Sequence, residues 1–175
     1  MKILGIDPGT ATTGFAIIET DGRSLKLLDY GAITTPKGLK NYTRLNQIAD
    51  DIETLVKKWK PQKASIEKLF FNKNIKTAIS VAEARGVISQ HLAKNNIAIS
   101  EFGPSEIKCA ICGNGQADKK AVQKMVQLLM RLEKIPRPDD AADAIAVAIC
   151  CANTADFASQ AMPTAKATQC TTAII

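Results

Sequence analysis

The sequence predicts an α/β protein: a mixed five-stranded sheet, three antiparallel strands and then parallel ones, flanked by helices. Three observations predict it. Three β-type runs, residues 2–7, 15–18 and 25–33, follow one another across short turns, as in an antiparallel meander. Helical and β-type segments then alternate, which calls for crossovers and hence parallel strands. The chain's 175 residues, 46% of them hydrophobic, are enough for one domain with a substantial core.

The first strand ends in Asp7, and Pro8-Gly9 cannot continue a strand interior. A carboxylate among Ile3, Leu4, Ile6 and Ile17 is costly unless it is paired or metal-bound. A turn-capping Asp before Pro-Gly is the other reading of the same stretch. After the third strand, Tyr42, Leu45, Ile48, Ile52, Leu55, Val56 and Trp59 recur at helical spacing, predicting a helix over 40–59 stopped ahead of Pro61. Residues 63–67 form a strand, parallel to the first, that ends in a second acid, Glu67. A basic and aromatic loop, 68–74, leads to a helix over 75–94, in which Gly86 either makes a close helix contact or is simply tolerated. A fifth strand, 97–102, precedes a short helix over 104–112. Gly113-Asn-Gly115 breaks that helix; it follows no strand and lacks the third glycine of a dinucleotide fingerprint. Asp118 can cap a helix over 119–133. The last helix starts at Asp139-Asp140 and runs to about 153, and 154–175 reads as a mobile tail, so the domain is expected to span 1–153.

Composition narrows the function. No apolar run approaches the roughly 20 residues of a membrane span; the longest is 144–152. An acid stands at residue 7, where an export signal needs apolar residues, so a soluble cytoplasmic protein is expected, with no membrane partner. The cysteines, Cys109, Cys112, Cys150, Cys151 and Cys170, read as reduced thiols, because Cys109-x-x-Cys112 has no second pair to complete a zinc site. Net charge is +6, and residues 57–137 hold 16 Lys/Arg against 6 Asp/Glu. A basic middle suits a polyanion, although ordinary solvated surface gives the same count.

Asp140 and Asp143 sit three apart at the start of the last helix and so share a face. The residues around them, Ala141, Ala142 and 144–149, are apolar nearly all round, which predicts a buried helix. Asp143 then needs a partner that its own helix does not supply. If this helix packs across the ends of the first and fourth strands, Asp7, Glu67, Asp140 and Asp143 converge. Four carboxylates without histidine or cysteine suit Mg²⁺ or Mn²⁺ rather than zinc. Two such ions form the clamp used for in-line displacement at phosphorus, and a basic surface would hold the nucleic-acid backbone.

Several stretches carry a family resemblance: Gly5-Ile-Asp-Pro-Gly9 with Thr13-Gly14, Ile66-Glu-Lys-Leu-Phe70 with Lys73-Asn74, Ala84-Arg-Gly-Val87, Lys119 before an apolar helix, and Asp140-Ala-Ala-Asp-Ala-Ile-Ala146. In order and spacing they resemble the RuvC Holliday-junction resolvases of the RNase H-like superfamily. The resemblance implies an RNase H-like fold with Asp7, Glu67, Asp140 and Asp143 as the catalytic, metal-binding set. The hardness of these ligands, rather than the resemblance, points to Mg²⁺, with Mn²⁺ able to substitute, at two ions per site. The resemblance further implies a homodimer that cuts four-way junction DNA in paired, metal-dependent steps and works with a branch-migration complex of the RuvA and RuvB type. Phe70 matches the family's branch-point aromatic, while Phe70 and Phe71 could equally be core. Lys108 and Lys119 match lysines near the active site, and Lys73 and Lys76 are DNA contacts by charge alone. Asp139 has no counterpart in the family motif and reads as a helix start or an outer residue. His91 is not needed by such a site. The tail departs from the family's often basic tails, having only Lys166.

Two other functions compete. The Gly5–Thr10 stretch also resembles the first phosphate loop of actin- or hexokinase-like ATPases, but the chain has no room for their second domain and no second phosphate loop. A non-catalytic DNA-binding module is the third reading, against which four intact acids argue.

Overall fold

The computed structural model describes residues 1–69 and 75–160, without the side chains of 75–77 and 155–160. Its elements follow the expected order: β1 (Lys2–Asp7), β2 (Thr12–Thr20), β3 (Leu25–Thr34), α1 (Asn41–Trp59), β4 (Lys63–Glu67), α2 (Ile75–Lys94), β5 (Ala98–Phe102), α3 (Pro104–Cys112), α4 (Lys119–Leu129) and α5 (Asp139–Gln160). The sheet runs β3-β2-β1-β4-β5. β1 pairs antiparallel with β2 and parallel with β4, and β4 pairs parallel with β5.

Strand alternation sorts the core into two layers. Leu4, Ile6, Ile17, Ala64 and Ile66 point to one face, against Ile48 and Ile52 of α1 and Ile88 and Leu92 of α2. Ile3, Ala16, Ile18 and Phe102 point to the other, against α3, α4 and the buried α5. By the same period Gly5, Asp7 and Gly14 belong to the α5 face. Only one neighbour set in the Asp7 reading, that of Ile3, shares its side of the sheet; Leu4, Ile6 and Ile17 lie behind it.

α5 lies close to the sheet because glycines face it. A Cβ at Gly5 would stand 2.2 Å from the Ala144 carbonyl oxygen, and one at Gly14 would stand 2.0 Å from that of Asp140. Ser65, in β4, adds a hydrogen bond from its hydroxyl to the Val147 carbonyl, 3.2 Å. Of the two readings of Gly86, simple tolerance fits: among the described residues nothing lies within 4 Å of a Cβ placed there.

Three boundaries differ from expectation. β2 is longer than 15–18, because it pairs with β3 from Thr12 to Thr20 and with β1 from Gly14 to Glu19. α4 ends at Leu129 rather than 133, since Arg131 adopts φ 53°, outside the helical region. α5 continues to Gln160, past 153. The expected tail from 161 onward lies outside the described residues. Asp118 caps α4 as expected, accepting from the Ala121 N–H at 2.7 Å. Cys109, Cys112, Cys150 and Cys151 are free thiols, and Cys170 lies outside the described residues. No described helix is long and apolar enough to cross a membrane.

Candidate active site

The site forms where β1 and β4 end beneath the first turns of α5. β1 and β4 pair in register, Ile6 with Ile66, so the next residue of each, Asp7 and Glu67, ends its strand on the α5 side. Asp140 and Asp143 come down from above, in the first two turns of α5. All four acids are half-buried.

The surrounding chain is pinned. The Thr13 hydroxyl donates to the Gly9 carbonyl at 2.6 Å and closes the turn after Asp7. The Thr10 hydroxyl donates to the Ser80 carbonyl of α2 at 2.6 Å, and Thr35 donates to the Thr10 carbonyl at 2.6 Å. After Glu67, the Lys68 N–H donates to the Phe102 carbonyl at 2.8 Å, and its ammonium lies 3.6 Å from Glu106.

Electrostatics ties the four acids together. Asp7 is pushed up to about 8, first by burial and then by the charges of Glu67, Asp143 and Asp140; Lys119 pulls the other way. Glu67 is raised by burial and by Asp143, against Lys119 and Lys108. Asp143 is raised by burial, while its bond from Lys119 lowers it. A carboxyl that binds its proton more tightly folded than unfolded stabilises the fold while protonated. Without metal, the protein should therefore lose stability as pH rises from about 4, the unfolded value, to about 8, and Asp7→Asn should flatten that slope. Thermal melts across this range in chelator check it.

The partner that Asp143 required is Lys119, the first residue of α4, whose Nζ stands 3.0 Å from Asp143 Oδ2. The same ammonium lies 3.6 Å from Asp139 Oδ2. Lys108 joins Lys119, Glu67 and Asp143 in lining one hollow, walled by Pro104, Ile107, Val122, Ala146 and Val147. A neighbouring hollow is lined by Asp7, Pro8, Glu67, Lys68, Leu69 and Pro104, so Glu67 stands between the two. Asp140 lines neither but acts on Asp7 and Asp143 by charge. The expected contacts Phe70 and Lys73 lie outside the described residues, as does the side chain of Lys76 in α2. His91 Nδ1 lies 3.1 Å from the Val87 carbonyl of its own helix.

The donor set fits a hard cation by its chemistry: four carboxylates, no imidazole or thiolate, and mutual repulsion that positive charge relieves. Among the described residues, however, no three of these acids are gathered into a ready ligand cluster. A cation at Asp143 would compete with Lys119 for the same carboxylate. Sequence reasoning placed Lys119 near the site by resemblance but missed its sharing between Asp143 and Asp139. Ser65 was also missed, although it lies two residues before Glu67 and so on the same strand face.

The sequence model of the family described as Crossover junction endodeoxyribonuclease RuvC matches residues 3–151. The chain is 48% identical over 153 residues to the protein of that name from Heliobacterium modesticaldum, covering 87% of this chain and 94% of the relative. It is 49% identical over 152 residues to that from Thermosipho melanesiensis, covering 87% and 97%. Its fold matches the structure of Thermus thermophilus RuvC in complex with a Holliday junction substrate, with a TM-score of 0.86 and 27% identity over 91% of this chain and 97% of the other.

Proposed function

The chain belongs to the RuvC family of crossover junction endodeoxyribonucleases, and on that premise we propose that its four cleft acids are the catalytic and metal-binding set of a junction resolvase. The protein is a metal-dependent endonuclease that resolves four-way (Holliday) DNA junctions in recombination and repair. The observation that carries the assignment is that the charges of Glu67, Asp143 and Asp140, from two other elements, all act on Asp7, with Lys108 and Lys119 beside Glu67 and Asp143.

Asp7, Glu67, Asp140 and Asp143 would hold Mg²⁺, or Mn²⁺ in its place, at two ions per site. When bound, such ions supply charge neutralisation and acidify water for in-line displacement at phosphorus. The chain's own residues do the rest. Asp7 supplies the most strongly destabilised negative charge of the site, which makes it the strongest draw for a cation. Lys108 and Lys119 hold phosphate oxygens of the scissile strand in the hollow they line. The apolar wall of Ile107, Val122 and Val147 limits water on that side. Cleavage leaves a 5′-phosphate and a 3′-hydroxyl.

Phe70 stacks on an unpaired base at the branch point, and Lys73 and Lys76 contact the backbone. Two copies of the chain present two cleft sites to two strands of like polarity, and a branch-migration complex of the RuvA and RuvB type delivers the junction in the cytoplasm. Residues 1–153 make up the nuclease domain and 154–175 its tail. The ATPase reading draws no support from the family match, which spans residues 3–151.

A labelled synthetic four-way junction and a linear duplex of the same sequence, each incubated with Mg²⁺, test the function. Paired symmetric cuts in the junction alone are expected. Binding with no cutting in either Mg²⁺ or Mn²⁺ would leave a DNA-binding module.

A further inference from the structure

We propose that Asp139 is a positioning residue: it gives the Lys119 ammonium a second carboxylate to rest on, so that Asp143 can be released to a metal ion. The proposal rests on the reading of Asp143 as a metal ligand. Asp139 is otherwise unassigned, since it falls outside the motif that carries the family resemblance.

The geometry is that of a shared cation. Lys119 Nζ stands 3.0 Å from Asp143 Oδ2 and 3.6 Å from Asp139 Oδ2. Asp143 is the deeper of the two, with 28% of its side chain exposed against 42% for Asp139. Asp139 is held in place independently of the lysine. Its Oδ1 accepts from Arg137 Nη1. The side chain of Gln123, buried and one turn along α4 from Lys119, also bonds to it. The outer acid is therefore fixed whether or not Lys119 leans on it.

This arrangement matters because an ammonium and a metal ion compete for the charge of one carboxylate. A metal ion arriving at Asp143 weakens the hold of that carboxylate on Lys119. Without Asp139, the loosened ammonium loses the second carboxylate that lies within ion-pair distance of it among the described residues, and the exchange is uphill. With Asp139 present, Lys119 moves between two carboxylates that already flank it and stays at the cleft, where the phosphate must be met.

The test is Mn²⁺ binding to the full chain without DNA, read by electron paramagnetic resonance, for wild type, Asp139→Asn, Lys119→Gln and the double variant. Losing one partly exposed ion pair should weaken Mn²⁺ binding by about threefold to fivefold in Asp139→Asn. Lys119→Gln should tighten it, by removing the competitor. In the Lys119→Gln background, Asp139→Asn should then change Mn²⁺ affinity very little, because its effect runs through the lysine. Asp139→Glu should restore wild-type affinity. An equal loss in both backgrounds would mean that Asp139 acts on the ion directly by its charge, and would overturn the proposal, as would no loss in Asp139→Asn alone. Asp140→Asn separates this from the parent reading. If that variant binds Mn²⁺ as wild type does, the four-acid site itself is wrong and the proposal falls with it. If Asp140→Asn loses the ion while Asp139→Asn does not, the site stands and only the role of Asp139 fails.

Discussion

Asp7→Asn is expected to lower the rate of junction cleavage by about 10³-fold or more, the several kcal/mol that metal-held charge contributes at a phosphoryl centre. Asp7 feels the charge of all three other acids and is driven furthest from ordinary carboxylate behaviour. Asparagine keeps the shape and removes the charge, so the cation loses its central ligand while the fold is spared. Two accompanying results separate this from simple damage. Junction binding, measured by mobility shift in Ca²⁺, should persist, because the lysines and the loop remain. The metal-free variant should also be more stable than wild type at neutral and higher pH, because a buried carboxylate under repulsion has been removed. Single-turnover cleavage in Mg²⁺ and melts in chelator measure both. Full activity in the variant would remove Asp7 from the site.

Gly14→Ala should have the second large effect, on structure first and activity as a consequence. Gly14 pairs with Asp7 across β1 and β2, directly under the first turn of α5. An added methyl would stand 2.0 Å from the Asp140 carbonyl oxygen and 3.1 Å from the Ala141 nitrogen. These are backbone atoms of a buried helix and cannot swing aside. Either β2 or the start of α5 must move, at an overpacking cost of roughly 1–3 kcal/mol or more. For a domain of this size each 1 kcal/mol lowers the melting temperature by roughly 2–4 °C, so calorimetry should show a drop of several degrees. The displaced segment carries Asp140 and Asp143, so cleavage should fall even at temperatures where the variant stays folded. A variant that melts and cuts like wild type would mean that α5 is not seated as described.

Much of the architecture was legible in the sequence because it depends on short-range periodicity. The apolar run in 2–7 and the spacing of Tyr42, Leu45, Ile48 and Ile52 set the type of their elements before any long-range contact is made. The Asp118 cap and the stop before Pro61 are equally local. The boundaries that were misplaced depend on distant partners. β2 extends through Thr12 and Thr20 because β3 pairs with it over that whole length, and α4 stops where Arg131 turns left-handed.

The acids were legible one at a time, as costly carboxylates in apolar surroundings. Their convergence was legible only on the condition that the last helix packs across the first and fourth strands, and through the family resemblance; what brings it about depends on three-dimensional register. The pairing of Ile6 with Ile66 sets Asp7 and Glu67 at neighbouring strand ends, and Gly5 and Gly14 let α5 descend close enough to bring Asp140 and Asp143 to them. Nothing local in Lys119 indicates that it would bridge two acids of another helix; that follows from the packing of α4 on α5. Backbone sterics and side-chain period are properties of neighbouring residues, so the sequence by itself determined the elements and the kind of chemistry. Register and close packing are properties of residues far apart in the chain, so only the tertiary structure decided which charges meet and which lysine stands between them.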